Sequence, residues 1–328
     1  MEAFDTLRSN LLSPLVLAFI LGMIATLVKS DLEFPEPIYK FISLYLLFAI
    51  GINGGIELAG TSLAEFWAPA TAAIFLAVAT PTWCYLILRR VGRFDVSNAA
   101  GIAALYGSVS SVTFIASMAL MESVGQSVEG FIPTMAALME WGVVVALFIG
   151  RLGMRRDGMK LGEVVRDTLT GRSVILLLGG LVIGVVIGER NYERIEPVFN
   201  DLFRGILTLF LLEMGMVAAR QLRDFAKVGP FMVGFGIGMP IIHGIVGVTL
   251  GTLAGLSVGG AFVLGALAAS SSYIDAPAAV RATLPQANPS IYLTSSLGIT
   301  LPFNLLIGLP LYYQYAQLLQ AWWYPLGS

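Results

Sequence analysis

Long apolar runs, each of about 20 residues and separated by short polar links, recur along the whole chain. Runs of this length are typical of membrane-crossing helices, because barrel strands would show segments of about ten residues with alternating polarity. Of the 328 residues, 57% are hydrophobic and 12% are charged, which is too apolar for a soluble domain of this size. The sequence therefore predicts an all-α integral membrane protein.

Ten spans can be distinguished, five in each half of the chain. They are Leu11–Lys29, Pro37–Leu58, Phe66–Leu88, Ser97–Met121 and Phe131–Gly150, then Ser173–Gly188, Val198–Leu222, Val228–Gly255, Gly259–Thr283 and Ser290–Leu319. The only long polar link lies between the fifth and sixth spans. The predicted divisions are a first five-helix repeat over residues 1–150, a cytoplasmic link over 151–172, and a second five-helix repeat over 173–328.

Lysine and arginine predict the orientation of these spans. Of the 19 basic residues, 15 fall on or beside links on one side of the predicted membrane and four fall on the other. Cytoplasmic links carry the excess of lysine and arginine. We therefore expect both termini to lie outside the cytoplasm, with the protein in the plasma (inner) membrane. Because five spans is an odd number, two repeats of five would be inverted relative to each other.

The ninth span stops in its middle, where Ser270, Ser271, Ser272 and Tyr273 interrupt the apolar run. A second helical run begins after Asp275, which is a suitable N-cap residue. Unwound backbone at bilayer depth is tolerated where it lines a protein cavity, and transporter sites are often built this way. The alternative is a kinked helix whose serine hydroxyls bond to their own backbone.

The fourth span is interrupted at the corresponding place, by Gly107, Ser108, Ser110, Ser111 and Thr113. Two interrupted spans at matched positions of two halves predict a transport site between inverted repeats. The alternative is ordinary helix packing through small residues.

Several of these segments resemble the cyanobacterial-type sodium-dependent bicarbonate transporters. The resemblance is strongest in AASSSYIDAPAAVRATLPQANPSIY, and it extends to LYGSVSSVTF, LFRGILTLFLLEMGM and PIIHGIVGVTLG. The chain departs from the family at Tyr273, where the family typically has an aspartate, and carries a carboxylate two residues later at Asp275.

The resemblance implies a homotrimer that imports bicarbonate with Na⁺ as coupling ion, by an elevator-like movement of a core domain against a gate domain. It also allows for a cytoplasmic regulatory protein as a partner. The implied anion site comprises Gly107, Ser108, Val109, Ser110, Ser111 and Ala276. The implied sodium site comprises Ser270, Ser271, Ser272 and their neighbours, which we take to be Tyr273 and Asp275.

Asp275, Glu140 and Glu213 fall inside predicted spans, where charged groups are functional candidates. We interpret Asp275 as a sodium ligand, with a simple N-cap role as the alternative, and leave the roles of Glu140 and Glu213 open. Other functions compatible with the sequence are sodium- or proton-coupled transport of another small anion, such as a short carboxylate, and a membrane sensor without transport. An intramembrane enzyme is disfavoured because the one histidine, His243, lies in a different span from either serine cluster. Nothing in the net charge of −2 indicates nucleic acid as a partner, whereas membrane lipid is an expected one.

Overall fold

A computed structural model describes residues 14–59, 63–154, 166, 170, 172–222, 229–273 and 275–323, and their regular structure is entirely helical. The helices are α1 (Pro14–Leu27), α2 (Glu36–Leu58), α3 (Leu63–Arg90), α4 (Val96–Gly107), α5 (Ser111–Ser123), α6 (Ile132–Met139), α7 (Gly142–Met154), α8 (Arg172–Tyr192), α9 (Leu202–Leu222), α10 (Gly229–Leu253), α11 (Val258–Ala269), α12 (Asp275–Thr283) and α13 (Pro289–Trp323), the last containing π-helical turns over Thr294–Thr300 and Asn304–Gly308. A further π-helical turn, Pro197–Asp201, leads directly into α9.

Six stretches among the described residues are long and apolar enough to cross a membrane. They are Glu36–Ile56, Ala64–Arg90, Val96–Ser123, Ile132–Met154, Gly229–Leu253 and Pro289–Trp323. Large apolar side chains such as Phe41, Trp67 and Val186 lie exposed on outward helix faces, where lipid would solvate them. The protein is an integral membrane protein.

One group of helices consists of α1, α2, α8 and α9, with α8 packed along α2 and α9 along α1. Glycines permit this close approach. A β-carbon at Gly22 would lie 2.0 Å from the carbonyl oxygen of Leu212, and one at Gly184 would lie 2.2 Å from that of Ile52. Gly188, four residues after Gly184, instead has a φ of 64° and kinks α8. We call this group the α1/α2/α8/α9 bundle.

The second group consists of α3 to α7 together with α10 to α13. The α4 helix packs against α3 and α7, while α11 packs against α10 and α13. In the Val96–Ser123 stretch, 94% of the most apolar window is buried inside the protein. Backbone groups released by a helix interruption in this stretch are therefore surrounded by protein groups and not by lipid. We call this group the central bundle.

The predicted fifth span is divided into two helices, which is a departure from the continuous helix expected from the sequence. Helix α6 ends at Met139 and α7 begins at Gly142, leaving Glu140 and Trp141 at the junction. The junction lies directly against the end of α4, since a β-carbon at Gly142 would be 1.8 Å from the carbonyl oxygen of Gly107. The absence of a side chain at position 142 thus fixes the spacing of α4 and α7.

We expect Gly142→Ala to destabilise the protein, because the added carbon would have to displace backbone atoms. Overpacking of this kind costs about 1–3 kcal/mol. The matched control is Gly205→Ala on α9, where a β-carbon would meet nothing within 4 Å. Thermal unfolding of the purified variants in detergent measures the difference, and equal melting temperatures would contradict the packing described here.

Candidate functional site

Two interruptions between helices meet inside the central bundle. The first, the Ser108 segment (residues 108–110), separates α4 from α5, and the second, the triple-serine segment (residues 270–273), follows α11. The backbone N–H of Ser110 donates to Ser270 Oγ at 2.9 Å. The backbone N–H of Ser272 donates to the carbonyl oxygen of Leu105 at 2.8 Å. At each interruption, a backbone N–H group is therefore hydrogen-bonded to a residue from the other half of the chain.

The Ser108 segment is extended and buried. Ser108, Val109 and Ser110 expose no more than 5% of their surface. Ser110 is the N-cap residue of α5, and its hydroxyl accepts the N–H of Thr113 at 3.3 Å. The start of α5 is thereby fixed, and the first-turn N–H groups of this helix are directed toward the Ser108 segment.

The three serines of the triple-serine segment are buried and hydrogen-bonded. Ser270 Oγ donates to the carbonyl oxygen of Leu267 at 2.7 Å, and Ser271 Oγ donates to Ser296 Oγ at 2.9 Å. Ser272 Oγ accepts the N–H of Ala276 at 3.3 Å. Helix α12 begins at Asp275 itself, so the hydroxyl of Ser272 satisfies an N–H in its first turn. The side chain of Asp275 lies outside what the structure describes.

The hydroxyl of Tyr273 contacts residues that do not belong to the predicted sodium set. Its Oη donates to Met214 Sδ on α9 at 3.2 Å, and the hydroxyl also interacts with the side chains of Tyr39 and Ser110. Tyr39 in turn stacks on Phe210 of α9, with ring centroids 5.8 Å apart. The phenol of Tyr273 therefore joins the Ser108 segment to the α1/α2/α8/α9 bundle.

A row of polar residues on α13, not predicted from the sequence, contacts α4 and the end of α11 with the triple-serine segment. Asn304 Nδ2 donates to the carbonyl oxygen of Ala269 at 2.8 Å, and Ser296 Oγ donates to that of Ser271 at 3.1 Å. Tyr106 Oη bonds to Ser295 Oγ at 2.6 Å and to Thr300 Oγ1 at 2.7 Å. The sequence does carry a signal for this row, because polar residues at positions 296, 300 and 304 recur every four residues within an apolar span.

The two glutamates that the sequence left open lie in different places. Glu140, at the α6–α7 junction, accepts a short hydrogen bond from the hydroxyl of Ser108. Glu213 lies on α9, beside the Met214 that contacts Tyr273. Both are 6% exposed. Glu140 is thus a neighbour of the predicted anion site, which its position in the sequence does not indicate.

We expect Asn304→Ala to destabilise the protein through the released carbonyl group of Ala269. A buried polar atom left without its partner costs about 1–3 kcal/mol. The matched control is Asn191→Ala, which removes an amide bonded to the carbonyl oxygen of Ile187 at the exposed end of α8. Surface changes of this kind alter stability by roughly 0.5 kcal/mol or less. Thermal unfolding compares the two, and equal losses would show that the buried amide has no special role.

The chain matches a known protein family over a range that includes both interrupted segments. A model of the family described as the Na⁺-dependent bicarbonate transporter superfamily matches residues 14–317, which include every helix of both bundles except the last residues of α13. No individually curated protein matches the chain. The family match confirms the resemblance inferred from the interrupted spans. The chain belongs to the Na⁺-dependent bicarbonate transporter superfamily.

Proposed function

We propose that this protein is a secondary transporter that imports bicarbonate together with sodium. The observation that carries the proposal is the meeting of the two interruptions, through the bonds from Ser110 to Ser270 and from Ser272 to Leu105. Discontinuous helices that converge in the protein interior are the usual construction of secondary-transporter sites. Membership of a transporter family also supports a transport function. We assign no enzymatic activity.

The proposed architecture is ten membrane spans in two inverted repeats, residues 1–150 and 173–328, joined by a cytoplasmic link over 151–172. The fourth and ninth spans would be broken at mid-membrane, as α4 with α5 and α11 with α12. Two helix pairings support the symmetry. The first helix of each half packs on the second helix of the other half, since α1 packs on α9 and α8 packs on α2. Both termini would lie outside the cytoplasm, as the distribution of lysine and arginine indicates.

Bicarbonate would bind between the first turns of α5 and α12. The proposed residues are Gly107, Ser108, Val109, Ser110, Ser111 and Ala276. Neither residues 107–111 nor residues 270–276 include lysine or arginine. We therefore propose that backbone N–H groups and the positive ends of the two helices hold the anion.

Sodium would bind at the triple-serine segment, and the residues present suit it. A hydroxyl group carries one donor and two acceptor lone pairs. The hydroxyl of Ser270 donates to Leu267 and accepts from Ser110, which leaves one oxygen lone pair for a cation. Ser271 and Ser272 likewise present buried hydroxyl oxygens. With the carboxylate of Asp275 as the charged ligand, these groups would form a set of hard oxygen donors. Tyr273 would contribute its backbone carbonyl oxygen, because its hydroxyl contacts Met214 on α9.

The two bundles are proposed to be the gate and the core of an elevator. The α1/α2/α8/α9 bundle would be the gate and hold a homotrimer, while the central bundle would carry the site. A cavity of about 320 Å³ separates them near the ends of α2 and α5 that are proposed to face outside, lined by residues that include Asn53, Met118, Glu122 and Tyr192. We propose that this cavity is the outer part of the route that the anion takes toward the site.

Counterflow in proteoliposomes tests the proposal. Vesicles loaded with unlabelled bicarbonate should accumulate labelled bicarbonate transiently when sodium is present on both sides, because a transporter exchanges substrate in both directions. Binding without accumulation would identify a sensor and overturn the proposal. Accumulation driven by a short carboxylate, with bicarbonate inactive, would assign the site to another anion.

A further inference from the structure

A buried carboxylate–hydroxyl pair lies at the first interruption. Ser108 Oγ donates to Glu140 Oε2, and the two residues expose 3% and 6% of their surface. The two groups come from different spans, so their contact depends on the fold and not on sequence proximity. The pair is part of the wall of the proposed anion site.

The α6–α7 junction places the carboxyl group of Glu140 beside Ser108. Glu140 follows the last residue of α6 and precedes Gly142, the first residue of the 13-residue helix α7. Close contact of Gly142 with the carbonyl group of Gly107 places this end of α7 against the Ser108 segment.

The direction of this hydrogen bond has a consequence for Ser108. A serine hydroxyl has one proton, and Ser108 donates it to Glu140 Oε2. With that proton directed at Glu140, the oxygen of Ser108 presents only lone pairs to the site. It can therefore accept a hydrogen bond from a bound molecule but cannot donate one.

We propose that Ser108, oriented by Glu140, is a specificity residue that accepts the O–H of the transported anion. The proposal rests on the placement of the anion at the Ser108 segment. Bicarbonate has one O–H group, whereas nitrate is a planar anion of the same charge and similar size without one. Nitrate would place an acceptor oxygen against another acceptor. Sites built to bond a substrate hydroxyl reject analogues that lack it by factors of about 10⁴–10⁵.

Competition between anions tests the proposal. Uptake of labelled bicarbonate into proteoliposomes, under a sodium gradient, is measured against increasing unlabelled bicarbonate or nitrate. For the unaltered protein, nitrate should be at least about 100-fold weaker as a competitor, a conservative figure for a site that selects a hydroxyl group. Ser108→Ala removes the hydrogen-bond acceptor. The concentrations of nitrate and of bicarbonate needed for equal competition should then agree within about tenfold, because the variant lacks the one interaction that favours bicarbonate over nitrate.

Two further variants distinguish the orientation of the Ser108 hydroxyl by Glu140 from a nonspecific effect of removing a buried polar group. Glu140→Leu frees the Ser108 proton to turn toward the anion and should also narrow the ratio. Ser117→Ala removes another buried hydroxyl, one bonded to the carbonyl oxygen of Phe114 on α5, and should leave the ratio unchanged. Thermal stabilisation by each anion gives the same ratio as a binding measurement if transport is lost.

The outcomes are distinct. An unchanged ratio in Ser108→Ala, or nitrate competing equally in the unaltered protein, would overturn the specificity assignment while leaving bicarbonate transport intact. A protein that neither transports nor binds bicarbonate would overturn the proposed function itself.

Discussion

Replacing Ser110 by leucine is expected to abolish bicarbonate uptake, whereas Ser110→Ala should retain a substantial part of it. Ser110 is 2% exposed, and its N–H and hydroxyl bond to Ser270 and to the start of α5. Leucine would place an isobutyl group at the point where the two interruptions meet, which is the space proposed for the anion. Alanine removes an N-cap hydroxyl, a change that costs about 1 kcal/mol.

Ser123→Leu is the matched control for this prediction. It is the same substitution on the same helix, at an exposed position whose hydroxyl bonds to the carbonyl oxygen of Leu120. Size-exclusion chromatography and thermal unfolding would establish that each variant is folded. Equal, mild effects of leucine and alanine at position 110 would place the anion elsewhere.

Asp275→Asn is expected to remove sodium dependence and to lower uptake at least about tenfold. Hydrogen bonds and comparable contacts to charged groups contribute about 1.5–3 kcal/mol, and 1.4 kcal/mol corresponds to a factor of ten. A carboxylate beside an anion site is repulsive, so its presence favours a cation bound between the two charges. The hydroxyl of Ser272 already accepts the N–H of Ala276, which leaves less reason for an aspartate whose purpose is capping.

Asp95→Asn provides the control for Asp275→Asn. Asp95 is the N-cap residue of α4, and its carboxylate accepts the N–H of Asn98 at 2.9 Å. Asparagine caps a helix about as well as aspartate, so this change should leave sodium dependence intact. If Asp275→Asn behaved like Asp95→Asn, a capping role would replace the sodium-ligand role.

The helices of this protein were largely predictable because membrane spans carry a strong local signal. The second span was expected over Pro37–Leu58 and is Glu36–Leu58. The division at Glu140 and Trp141 was missed, since a helix can be interrupted for two residues without proline or a polar run. The interruption lies where Gly142 closely approaches Gly107, which is a tertiary contact that the local sequence does not indicate.

The site shows the same distinction between local and tertiary information. Clusters of serine identified both interrupted segments from the sequence. The direction of Tyr273 was not predictable, because its phenol is held by Met214 and Tyr39, which are distant along the chain. The contribution of Ser296 and Asn304 required knowing that α13 lies beside the triple-serine segment.

Uptake of labelled bicarbonate into proteoliposomes, with and without an inward sodium gradient, tests the central claim most directly. We expect uptake above the equilibrium level only when the sodium gradient is present, and its collapse when a sodium ionophore is added. Uptake that ignores sodium and follows an imposed proton gradient would contradict sodium coupling and would assign the carboxylate of Asp275 to a proton.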